Sequence, residues 1–295
     1  MATFQGEKWI EEQIQSISNQ IDCEPTIFLS DDNSTDNTVS VAIKCIEKYK
    51  INIKFISYDK KSSSSKSSSS INFLRLISSI KNINQFGYIA FSDQDDIWDK
   101  EHLKRAVEKL ETGIYDGYSS SMMAFWDNGV EFLIKKNGKM SSLNHFFEAA
   151  GPGHTYVLSK RSFLKLQDFV IKNFHEVSCV TFHDWFIFAF MRSRGFNWTI
   201  DSFPSVRYRQ HSNNVHGANF FTISSIALRL KNLYGVWFKK EVLLLADILG
   251  CNHNIIKRLR RFNLIDRLII FFTIWRHRRR LKEKIAIMFL PIFSK

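Results

Sequence analysis

Hydrophobic positions in the first 111 residues follow two spacings. Ile10, Ile14 and Ile17 recur at helical spacing and predict an amphipathic helix over Glu7–Gln20. Thr26–Ser30 and Gly87–Ser92 are short apolar runs typical of buried strands. The same reasoning predicts helices around Val39–Ile46, Ile71–Ile77 and Asp99–Glu111, and a strand over Ile51–Phe55.

Strands that alternate with helices indicate βαβ units and a mainly parallel sheet, so the predicted fold class is α/β. In open sheets of this kind, ligands bind at the carboxyl edge of the strands. The acidic clusters Asp31-Asp32 and Asp93–Asp96 both follow predicted strands directly. We therefore expect the two acidic clusters to converge on one site.

The chain has 295 residues, 44% of them hydrophobic, which is enough for a packed core. Its net charge of +12 is uneven, because residues 221–295 hold 16 Lys and Arg against four Asp and Glu. Residues 1–220 are balanced. The basic segment predicts an anionic partner, either a membrane surface or a nucleic acid.

Residues 221–295 carry helical patterns that mix aromatic and basic residues, as in Leu264–Lys284. The apolar run Leu268–Trp275 has eight residues, and a span of a bilayer takes about 20. With Arg276 and Arg278–Arg280 beside it, this run suits a helix lying in the membrane interface. Because its aromatics sit among Ile and Leu, packing or membrane contact is favoured over nucleic-acid binding. Ordinary core helices with solvated basic faces remain the alternative.

The four cysteines form no C-x-x-C pair, and the first residues lack the pattern of a signal peptide. Reduced thiols and a cytoplasmic location are expected, at the inner face of the cytoplasmic membrane if the basic segment binds it. Lys60–Ser70 is a serine-rich, low-complexity segment that predicts a flexible loop.

Clustered carboxylates on a turn are typical of a hard cation such as Mg²⁺ or Mn²⁺. A metal would remove the repulsion within Asp93–Asp96. A solvated acidic loop that caps the next helix is the alternative, because a lone D-x-D is common.

Four motifs that occur together in a fixed order favour the metal site over the solvated loop. They are Asp31–Thr38 (DDNSTDNT), Phe91–Trp98 (FSDQDDIW), Phe182–Trp185 (FHDW) and Tyr208–Val215 (YRQHSNNV). Together with the opening Met1–Gln13, they resemble the bacterial rhamnosyltransferase-like branch of the family 2 glycosyltransferases, over about residues 1–217.

The resemblance implies a GT-A fold with a nucleotide-sugar donor and Mg²⁺ or Mn²⁺ as cofactor. It divides the chain into a glycosyltransferase domain, 1–217, and a basic amphipathic helical extension, 218–295. It implies nucleotide-sugar binding by Thr3, Phe4, Glu7, Asp31, Asp32, Asp93, Gln94 and Arg209, and metal binding by Asp95 and His211.

Asp184 matches the catalytic base of the family; an aspartate here can also cap a helix, and both roles can hold at once. His211 is a ligand or a structural residue. Gly151–His154 is either a plain turn or a point of close backbone approach to substrate. His183 is expected to orient or pack, and six further histidines are expected at the surface or in packing: His102, His145, His154, His175, His253 and His277.

The implied reaction is inverting transfer of a sugar to a lipid-linked or polysaccharide acceptor in surface glycan synthesis. Alternatives are a nucleotidyltransferase, for which no basic glycine-rich phosphate loop is visible, or a catalytically weakened membrane-binding homologue. Departures from the family pattern include a very short first strand and Asn33 in place of glycine, a residue that tolerates positive φ.

Overall fold

The computed structural model describes residues 1–57, 68–211 and 236–288. Strands and helices alternate through the first part: β1 (Ala2–Thr3), α1 (Ile10–Ser18), β2 (Thr26–Asp31), α2 (Thr38–Tyr49), β3 (Asn52–Phe55), α3 (Ser69–Ser79), β4 (Tyr88–Ala90), β5 (Ile97–Trp98) and α4 (His102–Glu111). The predicted helices and strands of this part are confirmed, with ends that differ by at most three residues.

The middle of the chain adds two long strands with short elements between them: β6 (Gly117–Trp126), β7 (Glu131–Ile134), β8 (Val157–Ser159), α5 (Lys160–Lys172), α6 (Phe174–Val177), α7 (His183–Ser193) and β9 (Trp198–Gln210). Four helices follow: α8 (Val236–Leu249), α9 (Asn254–Arg261), α10 (Leu264–Thr273) and α11 (Leu281–Met288).

Two sheets lie at the centre. The first has the order β1-β2-β3 with both pairs parallel. The second has the order β4-β8-β6-β9-β5 with β7 beside β6, and only its β6–β9 pair is parallel. Parallel pairing thus holds in the first sheet and at the centre of the second. The other pairs are antiparallel, which needs no long crossover connection.

Helix α7 is deeply enclosed in the core. Its residues from Trp185 to Met191 are all buried, so it contacts neighbours on every side. Apolar side chains of α8, including Val242 and Leu245, belong to the same cluster, as do Ile256 of α9 and Ile270 of α10. The described part of the basic segment therefore packs on the same core as the strands.

The predicted boundary between residues 217 and 218 lies outside the described residues, as does most of the serine-rich Lys60–Ser70 segment. Both stay predictions. Within the described ranges, every helix is too short or too polar to cross a bilayer.

Candidate active site

Asp31 ends β2 in a turn that fixes its carboxylate. Thr3 Oγ1 donates to Asp31 Oδ1 at 2.9 Å, and Ser34 donates its hydroxyl to the same oxygen at 2.6 Å. The backbone N–H of Ser34 donates to Oδ2 at 2.8 Å. Asn33 has φ of +62°, as its ability to replace glycine suggested. The carboxylate is thus held by three donors at the carboxyl end of two adjacent strands.

Asp32 turns the other way, toward α3. Its Oδ1 lies 3.3 Å from Nη1 of Arg75, and the two side chains are 6% and 9% exposed. A buried carboxylate needs such a partner, because an unpaired charge in the interior is costly. Asp32 therefore joins the turn to α3 through this ion pair.

The acidic turn after β4 is clamped to β1 through Gln94. The backbone N–H of Phe4 donates to Gln94 Oε1 at 2.9 Å, and Gln94 Nε2 donates to the carbonyl of Phe4 at 2.8 Å. The Phe4 ring beside this clamp is 53% exposed. Gly6 leaves room for it, since a Cβ there would lie 2.1 Å from Gln94 Oε1. The ends of β1 and β4 are thereby held together.

His154 lies between two carboxylates of this turn. Its Nδ1 is 3.2 Å from Asp93 Oδ2 and 2.8 Å from Asp96 Oδ2, and the His154 and Asp96 side chains are fully enclosed. Burial disfavours a charged ring, but Asp96 and Asp93 outweigh it and raise the pKa of His154 to about 10. Burial also raises the pKa of Asp96 to about 6. For Asp93 burial acts in the same direction, but His154 outweighs it and lowers the pKa. His154 is therefore the counter-ion of the turn.

The prediction that His154 is a surface or packing residue was wrong. The ring is 1% exposed and contacts Asp93, whose position lies 61 residues earlier in the chain. The sequence offers one local signal here, the small-residue segment Gly151–Gly153 directly before this histidine.

Asp95, in the same turn, contacts a different histidine. Its Oδ2 lies 2.9 Å from Nε2 of His211, and both side chains are partly accessible, at 17% and 11%. The His211 ring stacks on Trp9 with centroids 4.1 Å apart. The two residues predicted as metal ligands are therefore in contact, and Trp9 sets the plane of the imidazole.

Arg209 lies beneath the turn. Its backbone N–H donates to Asp96 Oδ1 at 3.1 Å, and its Nε donates to the carbonyl of Asp95 at 3.0 Å. Its Nη2 pairs with Glu12, which the sequence did not single out. The guanidinium, 9% exposed, supports the acidic turn from below in this structure.

Asp184 begins the first turn of α7, where its Oδ1 accepts from the N–H of Trp185 at 2.7 Å. A Cβ added to Gly153 would lie 3.2 Å from Cβ of Asp184 and 2.7 Å from Nε2 of His183. The backbone beside His154 thus touches the start of α7. The N-cap position of α7 is Phe182, so Asp184 is an acidic residue of the first helical turn and not its cap, and Gly153 and His154 connect it to the acidic turn.

A continuous chain of contacts links the predicted site residues. Asp31 contacts Thr3, which precedes Phe4, and Phe4 is clamped to Gln94 between Asp93 and Asp95. From there, His154 and Gly153 lead to Asp184. Glu7 lies at the edge of this group of residues. Its carboxylate accepts from the N–H of Asn37, the residue before α2, at 2.6 Å. The individual roles of these residues stay predictions.

An apolar cavity of about 390 Å³ lies between β2, α3 and β4, with Phe91 and Ser92, which precede Asp93, among its lining residues. Ile27, Phe73, Ile77 and Ile89 are among its lining residues. At its margin the amino group of Met1 donates to the Phe28 carbonyl at 2.7 Å, and burial lowers the pKa of that amino group to about 5.

Comparison with known proteins agrees with this geometry. The model of the family described as glycosyl transferase family 2 matches residues 1–155, and the chain belongs to that family. The dTDP-rhamnosyl transferase RfbG of Shigella flexneri is 36% identical over 294 residues, which is 100% of this chain and 99% of that protein. The predicted family and enzyme class are thereby confirmed.

Solved structures show the same fold. TarS 1–349 of S. aureus in complex with UDP-GlcNAc superposes with a TM-score of 0.54 at 15% identity, over 97% of this chain and 76% of the TarS 1–349 chain. Mannosyltransferase PcManGT from Pyrobaculum calidifontis, in complex with GDP-Man and Mn²⁺, gives 0.52 at 12% identity, over 99% of this chain and 83% of that chain. The predicted GT-A fold is confirmed.

Proposed function

We propose that this protein transfers rhamnose from dTDP-rhamnose to a glycan acceptor, with inversion and with help from a divalent metal. The observation that carries the proposal is the set of carboxylates from different strand ends that meets Asp184 in one chain of contacts. The choice of donor is supported by the full-length likeness to a dTDP-rhamnosyl transferase.

The residues suit Mg²⁺ or Mn²⁺. Asp93, Asp96 and His154 bring one ligand atom each within 4.8 Å of one another, but this histidine already serves as the cation between the two carboxylates. Asp95 and His211 are partly accessible and in contact, so they would hold the ion. When bound, the metal would act as a Lewis acid that neutralises charge on the leaving diphosphate.

The chain's own residues perform the remaining tasks. Asp31 is oriented by three donors and would bind a ribose or base group at the end of β2. The exposed Phe4 ring would pack against the nucleoside. Asp184 would take the proton of the acceptor hydroxyl as general base, since the N–H of Trp185 orients its carboxylate and Gly153, next to His154, lies against it. The acceptor oxygen then bonds to the anomeric carbon as the bond to the diphosphate breaks and dTDP leaves, and this single displacement inverts the anomeric centre.

The test is transfer from dTDP-rhamnose in Mn²⁺ and in EDTA. Transfer that depends on Mn²⁺ and falls at least about a hundredfold in Asp95→Ala supports the proposal. His102→Asn, a change at a buried histidine outside the site, is the control and should retain activity. Full activity of Asp95→Ala, or transfer undiminished by EDTA, would refute the metal role.

We also propose that α10 rests on an anionic membrane surface. Its outward side chains Leu264, Ile265, Leu268 and Phe272 are 54–75% exposed, while Ile270 on the opposite face is buried. Arg258 and Arg261 both lie 2.9 Å from Asp266, which holds α9 against α10 and keeps basic groups beside the apolar face. Apolar side chains flanked by cations are typical of interfacial helices.

Vesicle sedimentation tests this contact. Leu268→Ser with Phe272→Ser should reduce binding to phosphatidylglycerol vesicles several-fold, because two insertable side chains are lost. Ile171→Ser on α5 is the matched control, since Ile171 is 55% exposed on another helix. Equal binding of the double variant and the control would exclude α10 as the contact.

A further inference from the structure

Helix α8 is hydrogen-bonded to the segment that leads into α7, whose first turn carries Asp184. Glu241 of α8 is 4% exposed, and both of its carboxylate oxygens accept from Thr181, which precedes Asp184 by three residues. Oε1 accepts the backbone N–H of Thr181 at 2.7 Å, and Oε2 accepts its hydroxyl at 2.9 Å. Hydrogen bonds to a carboxylate are stronger than those to a neutral acceptor, so this pair ties the entry of α7 to α8.

Aromatic side chains of α8 contact residues on both sides of Asp184 in the chain. The Trp237 ring meets the Phe182 ring edge-on with centroids 5.7 Å apart, and the Phe238 ring stacks on Trp185 at 5.5 Å. Both are favoured arrangements of aromatic pairs. Helix α8 therefore holds the residues before and after Asp184 by packing as well as by hydrogen bonds.

Helix α3 holds the same segment through different atoms. The hydroxyl of Ser70 donates to the carbonyl of Thr181 at 2.7 Å and accepts the backbone N–H of His183 at 3.0 Å. The His183 ring stacks on Phe73 with centroids 4.1 Å apart. The N–H, the hydroxyl and the carbonyl of Thr181 are thus all engaged, which leaves this residue little freedom to move.

The placement of this segment matters for the proposed chemistry. A general base works only when its carboxylate lies within hydrogen-bond reach of the hydroxyl that it deprotonates. The contact between Asp184 Oδ1 and the N–H of Trp185 is local to the first turn of α7 and does not decide where that turn lies. The contacts of Thr181 with Glu241 and Ser70 do decide it, because they join the turn to two other helices.

We infer that Glu241 is a positioning residue for the proposed base. Through Thr181 it keeps Asp184 at the place where the acceptor hydroxyl loses its proton. The inference rests on the proposed function and assigns a further residue to it. Because α8 lies within the helical extension predicted after residue 217, that segment contributes to the chemical step in addition to the proposed membrane contact.

The kcat and the donor KM for transfer from dTDP-rhamnose test this role. Glu241→Leu removes both acceptors from Thr181 and should lower kcat about thirtyfold, because a misplacement of about 1 Å costs up to about a hundredfold in rate. The donor KM should stay within about twofold of wild type, since this change leaves the residues proposed to bind the donor untouched. Glu241→Gln should keep kcat within about threefold, because the Thr181 hydroxyl can accept from the new amide as well as donate.

Asp247→Asn is the matched control. Asp247 lies on the same helix, where its exposed carboxylate pairs with Arg260, and its variant should keep the wild-type kcat. Circular dichroism should show that all the variants are folded. If Glu241→Leu does not fold, Thr181→Val decides the question, because it removes only the hydroxyl donor. Its kcat should fall about fivefold, and an unchanged kcat would overturn the inference.

A double variant separates positioning of the base from a general structural role. If Glu241 acts through Asp184, Asp184→Asn with Glu241→Leu should have the kcat of Asp184→Asn alone. A further tenfold loss in the double variant, or a wild-type kcat in folded Glu241→Leu, would contradict the positioning role. A wild-type kcat in Asp184→Asn would overturn the proposed base itself, whereas a loss there with none in Glu241→Leu would overturn only the role of Glu241.

Discussion

Replacing Arg279 by methionine should destabilise the whole fold, although the residue lies far along the chain from the strands. Arg279 is 4% exposed, and its Nε lies 3.3 Å from Oε1 of Glu148, which is itself 4% exposed. Its Nη2 also donates to the carbonyls of Ala149 and Ala150. Methionine keeps most of the stem and removes the charge and all of these donors.

The size of the loss in stability follows from the Glu148 carboxylate, which stays buried after Arg279 is replaced. Breaking a buried ion pair by removing one partner costs about 3–5 kcal/mol, because the other charge stays buried without compensation. Arg278 Nη1 lies 3.9 Å from Glu148 Oε2 and would retain part of the attraction. We therefore expect a loss near the lower limit, about 3 kcal/mol, or a fall in melting temperature on the order of 6 °C.

Urea and thermal unfolding measure this loss, with Arg276→Met as the matched control. Arg276 is exposed in the same segment, so its variant should stay within about 0.5 kcal/mol of wild type. Glu148→Gln in the Arg279→Met background should recover about 1 kcal/mol or more of the free energy of unfolding, since the unpaired charge of Glu148 is removed. A loss below about 1 kcal/mol in Arg279→Met, or strict additivity in the double variant, would refute the reasoning.

Three further predictions concern the site. Gly6→Ala should displace the Gln94 clamp and weaken binding of dTDP about tenfold with little loss of stability, whereas Gly87→Ala, with nothing within 4 Å of the added carbon, should change neither. Asp184→Asn should lower kcat about 10²–10⁴-fold at unchanged donor KM if the base role is right. His154→Phe should destabilise the fold by about 3–5 kcal/mol near pH 6. Because the pKa of His154 is raised to about 10 from 6.5, the stability it provides is complete below pH 6.5 and declines toward pH 10, so unfolding curves of wild type and variant should converge there.

Local patterns explain why the first 111 residues could be predicted so closely. The spacing of Ile10, Ile14 and Ile17 places all three on one helix face, and all three are buried in α1. The contacts within the turn after β2 are equally local, since Ser34 donates hydrogen bonds to Asp31, three positions earlier. Such features need no knowledge of distant segments.

The candidate site could be predicted in part for the same reason. Both acidic turns follow apolar strands, and strand ends in βαβ units lie on one edge, so the sequence predicts that Asp31 and Asp93 lie near each other. Antiparallel pairs of the second sheet could not be predicted, because β8 and β4 pair across a sequence separation that short-range spacing does not encode.

Amino-acid sequence by itself therefore determined the alternation of strands and helices, the two acidic turns and the family. Tertiary structure alone decided that His154 neutralises the turn after β4 and that Arg279 binds Glu148, which lies 131 positions earlier. The physical reason is that periodicity and turn chemistry act over a few residues, whereas the pairing of buried charges depends on which distant segments the packed core brings into contact.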